Sequence, residues 1–297
     1  MGEFDTMKGD PGQPEGYSLS GEPLYAVKYP EATEARFLAN LEAAVQRVKA
    51  NPDDEDAIVW HGRRLGYLTR YREAIDVYTQ GLKKYPNSFV LLRHRGHRLI
   101  SIRRFAEAEA DYLRAAELCL KAPDQMEPDG EPNKAGVPTG TIRFNIFYHL
   151  GLSRYLQGKF REALGDYRTC MEYSTSNDDA LVATSDWLYM TLRRLGQDAE
   201  AARVLEPIRE DMDIIENYAY HHRLLLYKGL KKPEDLLAAG ATTHHDTATH
   251  GYGIGNWHFY NGRVGEAKAM LEKVVATSFW PAFGFIAAEA DLHRGLS

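Results

Sequence analysis

The sequence predicts an all-α chain built from repeated helix–turn–helix units, on three observations. Gly62 and Gly96, Tyr71 and Phe105, Ala74 and Ala108, and Tyr78 and Tyr112 all lie 34 positions apart. The Gly-to-Ala offset of 12 appears three times, at Gly62 and Ala74, Gly96 and Ala108, and Gly151 and Ala163. Apolar residues such as Ile58, Leu65, Leu68, Ile75 and Leu82 recur at helical spacing. A period of this length means stacked supersecondary units, because one such unit cannot bury its apolar face alone.

The elements follow in chain order. Residues 1–23 carry Pro11, Pro14, Pro23 and five glycines, which predicts an extended or disordered segment. Met1 to Met7 reads as an expression scar ahead of a second methionine. Glu31 to Ala50 reads as one helix closed by Asn51-Pro52, a half-repeat capping the N-terminal end. The first full unit passes through Tyr71 to Tyr78 and stops at Tyr85-Pro86, and the second contains Phe105 to Tyr112. Lys121 to Arg143, with four prolines and glycines at 130, 136 and 140, is an insertion loop.

A third unit resumes with Leu150-Gly151, Phe160, Ala163 and Tyr167. Eroded copies follow at Leu195-Gly196 with Ala201 and Leu205, over Asp213 to Ala239, and at Asn261-Gly262 through Ala267, Leu271 and Val274. Ser278 to Pro281 starts a last helix whose aromatics Phe279, Trp280, Phe283 and Phe285 are expected in the core. Residues 24–297 thus read as one repeat domain. Within a unit, the small Gly and Ala let two antiparallel helices approach, and the aromatic 16 positions after the Gly fills the adjacent gap.

These residues resemble the tetratricopeptide repeat (TPR) family, whose 34-residue unit has Leu-Gly, then Tyr, then A-x3-F, then Pro. The resemblance covers most of the chain from about Glu31 onward. It implies a right-handed α-solenoid of about six units with N- and C-terminal capping helices, its concave face lined by the first helix of each unit.

Composition narrows the function. The 297 residues carry 36 Lys and Arg against 42 Asp and Glu, and this net charge of −6 argues against a general nucleic-acid or anionic-membrane binder. The longest nearly uncharged run, Ser278 to Ala288, is too short to span a bilayer. Cys119 and Cys170 are the only cysteines, which excludes a disulfide framework and a zinc ribbon and leaves the compartment open between cytoplasm and an exported location with its signal removed. The motifs G-x-S-x-G, G-x-x-x-x-G-K-[ST] and H-E-x-x-H are absent. Gly251 and Gly255, four apart, read as a close-packing face rather than a dinucleotide fingerprint.

Two features remain for function. Thr243 to His250 holds His244, His245, Asp246 and His250, a candidate divalent-metal set; a second possible set is His222, His245, Asp246 and Asp291. The bland alternative has Asp246 or Thr247 capping the next helix and the histidines in a solvated loop. In the repeat frame, the positions that face the groove carry Arg63, Arg93, His94, His97, His149, Trp187, Arg194, Arg223 and Asn256. A basic, aromatic surface of this kind suits an acidic or carboxylate-bearing protein or peptide.

Where some TPR domains place Lys and Asn to hold a C-terminal carboxylate, this chain has Val59, Arg63 and His94. The insertion adds Asp124, Glu127, Asp129 and Glu131, which are expected to lie against the basic groove. The preferred reading is a non-enzymatic scaffold binding a protein or peptide, with no cofactor required. A metal-dependent hydrolase using the histidine tract and a structural protein self-associating through its C-terminal helix are the alternatives.

Overall fold

The computed structural model describes residues 12–240 and 244–296, except for the side chains of residues 240 and 244–246. The described chain is an all-α helical repeat. Its contacts divide it into two compact units, with the boundary after Pro123, inside the insertion that interrupts the sequence period.

Unit 1 opens with a small hairpin, β1 (Gly16–Tyr17) antiparallel to β2 (Pro23–Leu24). Five helices follow: α1 (Glu31–Ala50), α2 (Glu55–Tyr67), α3 (Tyr71–Lys84), α4 (Phe89–Ser101) and α5 (Phe105–Cys119). The single helix expected over Glu31 to Ala50 is α1, which buries Phe37, Leu41, Ala44 and Val48 and packs on α2. The segment before it is extended but docked: Glu15 accepts a hydrogen bond from the Arg72 amide at 2.9 Å, and Gln13 accepts from the Arg72 guanidinium at 2.7 Å. Residues 1–11 of that segment lie outside the described residues.

Unit 2 contains α6 (Ile142–Leu156), α7 (Phe160–Glu172), α8 (Asp178–Arg194), α9 (Asp198–Val204), α10 (Tyr218–Tyr227), α11 (Pro233–Gly240), α12 (His244–Tyr260), α13 (Val264–Val275) and α14 (Phe283–Arg294). Among the described residues, six helix pairs, from α2–α3 to α12–α13, therefore follow α1 and precede α14 in the chain. Every pair is joined by the same turn. Thr69, Arg103, Gly158, Gly196, Gly229 and Gly262 all have positive φ, between 55° and 82°. The residue after each, from Arg70 to Arg263, donates its amide to the carbonyl five positions back, the bond that closes a helix over a left-handed residue. Gly229 thereby identifies the unit between 213 and 239 that side-chain erosion obscures. Thr69 holds this conformation without being glycine: its hydroxyl donates to the Leu68 carbonyl and accepts from the Val27 amide, both at 2.7 Å.

Side chains cap the starts of four first helices. Asp54, Ser88, Thr141 and Asn177 each accept the amide three residues on, satisfying a donor that the helix leaves open. The helix-pair crossings use the glycines. A β-carbon on Gly62, Gly96 or Gly151 would sit 2.4–2.8 Å from the ring of Tyr78, Tyr112 or Tyr167, so each ring occupies the space the glycine leaves. In α12 the same offset pairs Gly255 with Leu271, and Gly251 abuts Val274, both on α13. Ala74, Ala108, Ala163, Ala201 and Ala267 are fully buried at the matching positions.

The insertion is tied to unit 2. Met126 bridges Thr141, Asp124 accepts from the Arg143 amide at 3.1 Å, and Thr139 donates to Glu216 at 2.5 Å. Asp179, fully buried, anchors the long connection after α9 by accepting the amides of Ile215, Glu216 and Asn217 at 2.7–2.9 Å. Both cysteines are buried, and burial pushes the Cys170 thiol up to about 12. No described helix is long and apolar enough to cross a membrane.

The Gly62–Tyr78 crossing makes a test of this packing. Gly62→Ala should lower stability by about 1–3 kcal/mol, the usual cost of overpacking. Gly165→Ala, where nothing lies within 4 Å, should leave it unchanged or raised. Urea unfolding of both variants checks the contrast, and equal responses would remove the crossing as a determinant.

Candidate interaction surface

The groove positions named from sequence divide into two sets with different surroundings. In unit 1 they lie on α2 and α4. The Arg63 and Arg64 guanidinium carbons stand 4.4 and 4.8 Å from the Trp60 ring centroid, so one half-buried indole carries two cations. One turn into α4, Arg93 Nη1 lies 3.2 Å from His94 Nδ1 and 3.4 Å from His97 Nδ1. His94 is buried with its ring stacked on Tyr78 at 6.0 Å, whereas His97 is half-buried. Arg93 and His94 are thus packed into the inner row, and Trp60, Arg63 and His97 keep solvent access.

In unit 2 the inner row is closed. Trp187, Arg223 and Asn256 are fully buried, His149 is 4% exposed and the Arg194 side chain 6%. An open groove over these residues is what the repeat frame predicts, and the structure corrects it. The first helices α8, α10 and α12 pack against one another, and α14 lies on α12, α13 and α6. Glycine makes the closure possible: a β-carbon on Gly253 would fall 2.5 Å from Arg223 Nε, and one on Gly284 would fall 2.5 Å from the Ala248 carbonyl oxygen. Of the four C-terminal aromatics expected in the core, Trp280 and Phe285 are buried, and Phe279 and Phe283 are half-buried. Phe283 meets the His149 ring edge-on at 5.5 Å.

Two buried ion pairs organise this interior. Arg223 on α10 contacts Asp186 on α8 at 2.9 Å, both fully buried. Its guanidinium also faces the rings of Trp187, Tyr220 and Tyr252 at 5.5–5.9 Å, and Tyr227 accepts from its Nε at 3.4 Å. Burial pushes Asp186 up to about 7 against the opposing pull of Arg223 and the Tyr227 hydroxyl. Trp187 donates to Tyr148 at 2.7 Å, and Tyr148 to Tyr220 at 3.1 Å, so the aromatic polar tips are paired with one another.

The second pair involves α14. Arg194 Nη2 donates to Asp291 and to the Asn256 side-chain oxygen, both at 2.5 Å. Tyr252 donates to the same Asp291 oxygen at 3.0 Å, and Arg294 to the other at 2.5 Å. One carboxylate on α14 therefore receives two guanidiniums and a phenol. That environment assigns Asp291 to charge pairing and takes it out of any metal set.

The histidine tract stands otherwise than as a loop. His244 to His250 belong to the first two turns of α12, so Thr247 lies inside the helix and not at its cap; no proline or turn pair breaks the run between 244 and 260. The side chains of His244, His245 and Asp246 lie outside the described residues. His250 is buried, with its ring 5.7 Å from that of His222, whose pKa is lowered to about 4 by burial and by the nearby Lys231, His250 and His221. Among the described residues, no three His, Cys, Asp or Glu side chains converge as a metal set. In the insertion, Glu127 accepts from Asn145 at 3.1 Å, on α6.

Sequence reasoning put Asp291 in a metal set and paired neither it nor Asp186 with an arginine. Asp186 is the one charge between Leu181 and Leu192, and Asp291 follows Phe283 to Ala288, which holds no charge. A lone carboxylate on an otherwise apolar helix face requires a cation opposite it, and that signal was available in the sequence.

No protein-family model matches the chain, and no curated protein matches it. Among solved structures, the chain is similar to a tetratricopeptide repeat protein from Parabacteroides merdae, at 14% identity over 86% of this chain and 94% of that one, TM-score 0.49. It is also similar to YrrB, described as a TPR protein with an unusual peptide-binding site, at 16% identity over 79% and 92%, TM-score 0.45. A third likeness is MamA from AMB-1, at 14% identity over 59% and 89%, TM-score 0.43. The six equivalent turns and the Gly-to-Tyr crossings carry the TPR-like description of this chain.

The Arg223–Asp186 pair predicts a large mutational effect. Arg223→Met leaves a buried carboxylate without its cation and should cost about 3–5 kcal/mol in urea unfolding. Asp186→Leu combined with Arg223→Met should recover part of that loss. A single-substitution cost below about 1 kcal/mol would contradict the pair's role.

Proposed function

We propose that this chain is a non-enzymatic TPR-like scaffold whose inner row on α2 and α4 binds a protein or peptide carrying carboxylates. The observation that carries the reading is a pair of cationic groups on two first helices: Arg63 and Arg64 stacked on Trp60 in α2, and Arg93 beside His94 and His97 in α4. Guanidiniums held this way are partly desolvated and oriented, which favours charge-assisted bonds to carboxylates over loose attraction. Trp60 adds apolar area of the kind that anchors interfaces. Supporting it, the corresponding inner positions of unit 2 hold the Asp291 carboxylate through Arg194, with Asn256 beside it. The chain's overall charge of −6 makes this a local feature, so binding should depend on the row itself and not on bulk electrostatics.

Fluorescence anisotropy with a labelled twelve-residue peptide rich in Glu and Phe tests the reading. Binding should weaken as salt rises, and Arg63→Glu should reduce affinity at least tenfold, about 1.4 kcal/mol. Trp60→Ala should act in the same direction. A peptide in which Lys replaces Glu should not bind. Equal binding of both peptides, or indifference to Arg63→Glu, would contradict the proposal.

A further inference from the structure

The covered inner face of unit 2 identifies a second surface. α14 lies where a ligand of a repeat groove would lie, against α6, α12 and α13, and it engages groove positions by a carboxylate. Asp291 apart, its buried residues are apolar, with Gly284, Ala287, Ala288 and Ala290 small and Phe285 and Ile286 large. Its polar key is Asp291, 1% exposed, held by Arg194, Tyr252 and Arg294. The helix has 12 residues and is attached through a short link in which Ala276 and Ser278 are exposed.

We propose that α14 is a cis ligand of this groove, and that the groove's partner in trans is an amphipathic helix of α14-like chemistry. That partner presents a small-residue face and one buried Asp or Glu, and it binds when α14 opens. The charge complementarity of Arg194 with Asn256 and Tyr252 at its side selects the carboxylate; the close approach of Gly284 to the Ala248 backbone of α12 selects a slim helix. A tethered helix benefits from an effective concentration of order millimolar, so a free helix competes only in proportion to its differential affinity for the open state. This inference deepens the scaffold reading and rests on it, but concerns a different surface from α2 and α4.

The test uses the full chain with a protease site inserted between Thr277 and Ser278. After cleavage, a labelled peptide of residues 278–297 should exchange into the cut chain, and its Asp291→Asn version should bind at least tenfold more weakly. The difference should vanish in a cut chain carrying Arg194→Met. Failure of the peptide to bind a cut chain that keeps its helical circular dichroism, or equal affinity of the two peptides, would overturn the proposal.

Should the cut chain unfold, hydrogen exchange of the uncut chain decides. α14 amides should exchange at least tenfold faster than those of α12, with Asp291→Asn widening the gap. One common rate for both helices would overturn the proposal. A dimer formed by exchanged α14 helices in sedimentation would give the groove to a second copy and overturn the partner assignment. Anisotropy with the acidic peptide on α2 and α4 separates this outcome from failure of the scaffold reading, because Arg63→Glu acts there alone.

Discussion

Four of the six described helix pairs depend on a contact in which a residue without a side chain receives a ring or a branched chain from its neighbour. Gly62, Gly96, Gly151 and Gly255 accept Tyr78, Tyr112, Tyr167 and Leu271, and in every case an added β-carbon would lie within 3 Å of the incoming side chain. Close packing at this crossing sets the distance between the two helices, and the distance sets which faces remain for the next unit. The left-handed turn residue does the same for direction, since it reverses the chain in one step at six equivalent places. Together these two local features generate the repeat without any long-range instruction.

What the repeat leaves open is its inner row, and the two units treat that row differently. Unit 1 lines it with guanidiniums, imidazoles and Trp60, several of which retain solvent access. Unit 2 lines it with the same kinds of residue and then buries them, pairing Arg223 with Asp186 and Arg194 with Asp291. Buried charges are tolerable only when paired and oriented, so α14 has to bring a carboxylate if it is to cover Arg194. Its small-residue face and its Asp291 answer two requirements of one site.

The sequence made the helices legible because the 34-residue period is carried by residues whose roles are steric. Glycine, alanine and tyrosine at fixed offsets leave few arrangements, and α1 to α5 follow the expected order. The frame names His149, Trp187, Arg194, Arg223 and Asn256 as groove positions. It did not reveal their burial, because the frame describes one unit and its neighbour, whereas closure in unit 2 comes from a helix about 100 residues further on than Arg194. Asp186, the lone charge between Leu181 and Leu192, and Asp291, on the helix face of Gly284, Ala287 and Ala288, are the residues from which that closure could have been inferred. A cap at Asp246 or Thr247 would leave the histidines in a loop; the helix instead runs from His244 through them.

The central claim is that a carboxylate on α14 and a guanidinium of the inner row are energetically coupled. A double-mutant cycle of Arg194→Met and Asp291→Leu, measured by urea unfolding of the full chain, tests it most directly. The pair is nearly excluded from water, with side chains 6% and 1% exposed, so the coupling should be about 2–3 kcal/mol. Additivity of the two substitutions within about 0.5 kcal/mol would contradict the account, because α14 would then cover the inner row without reading its charge.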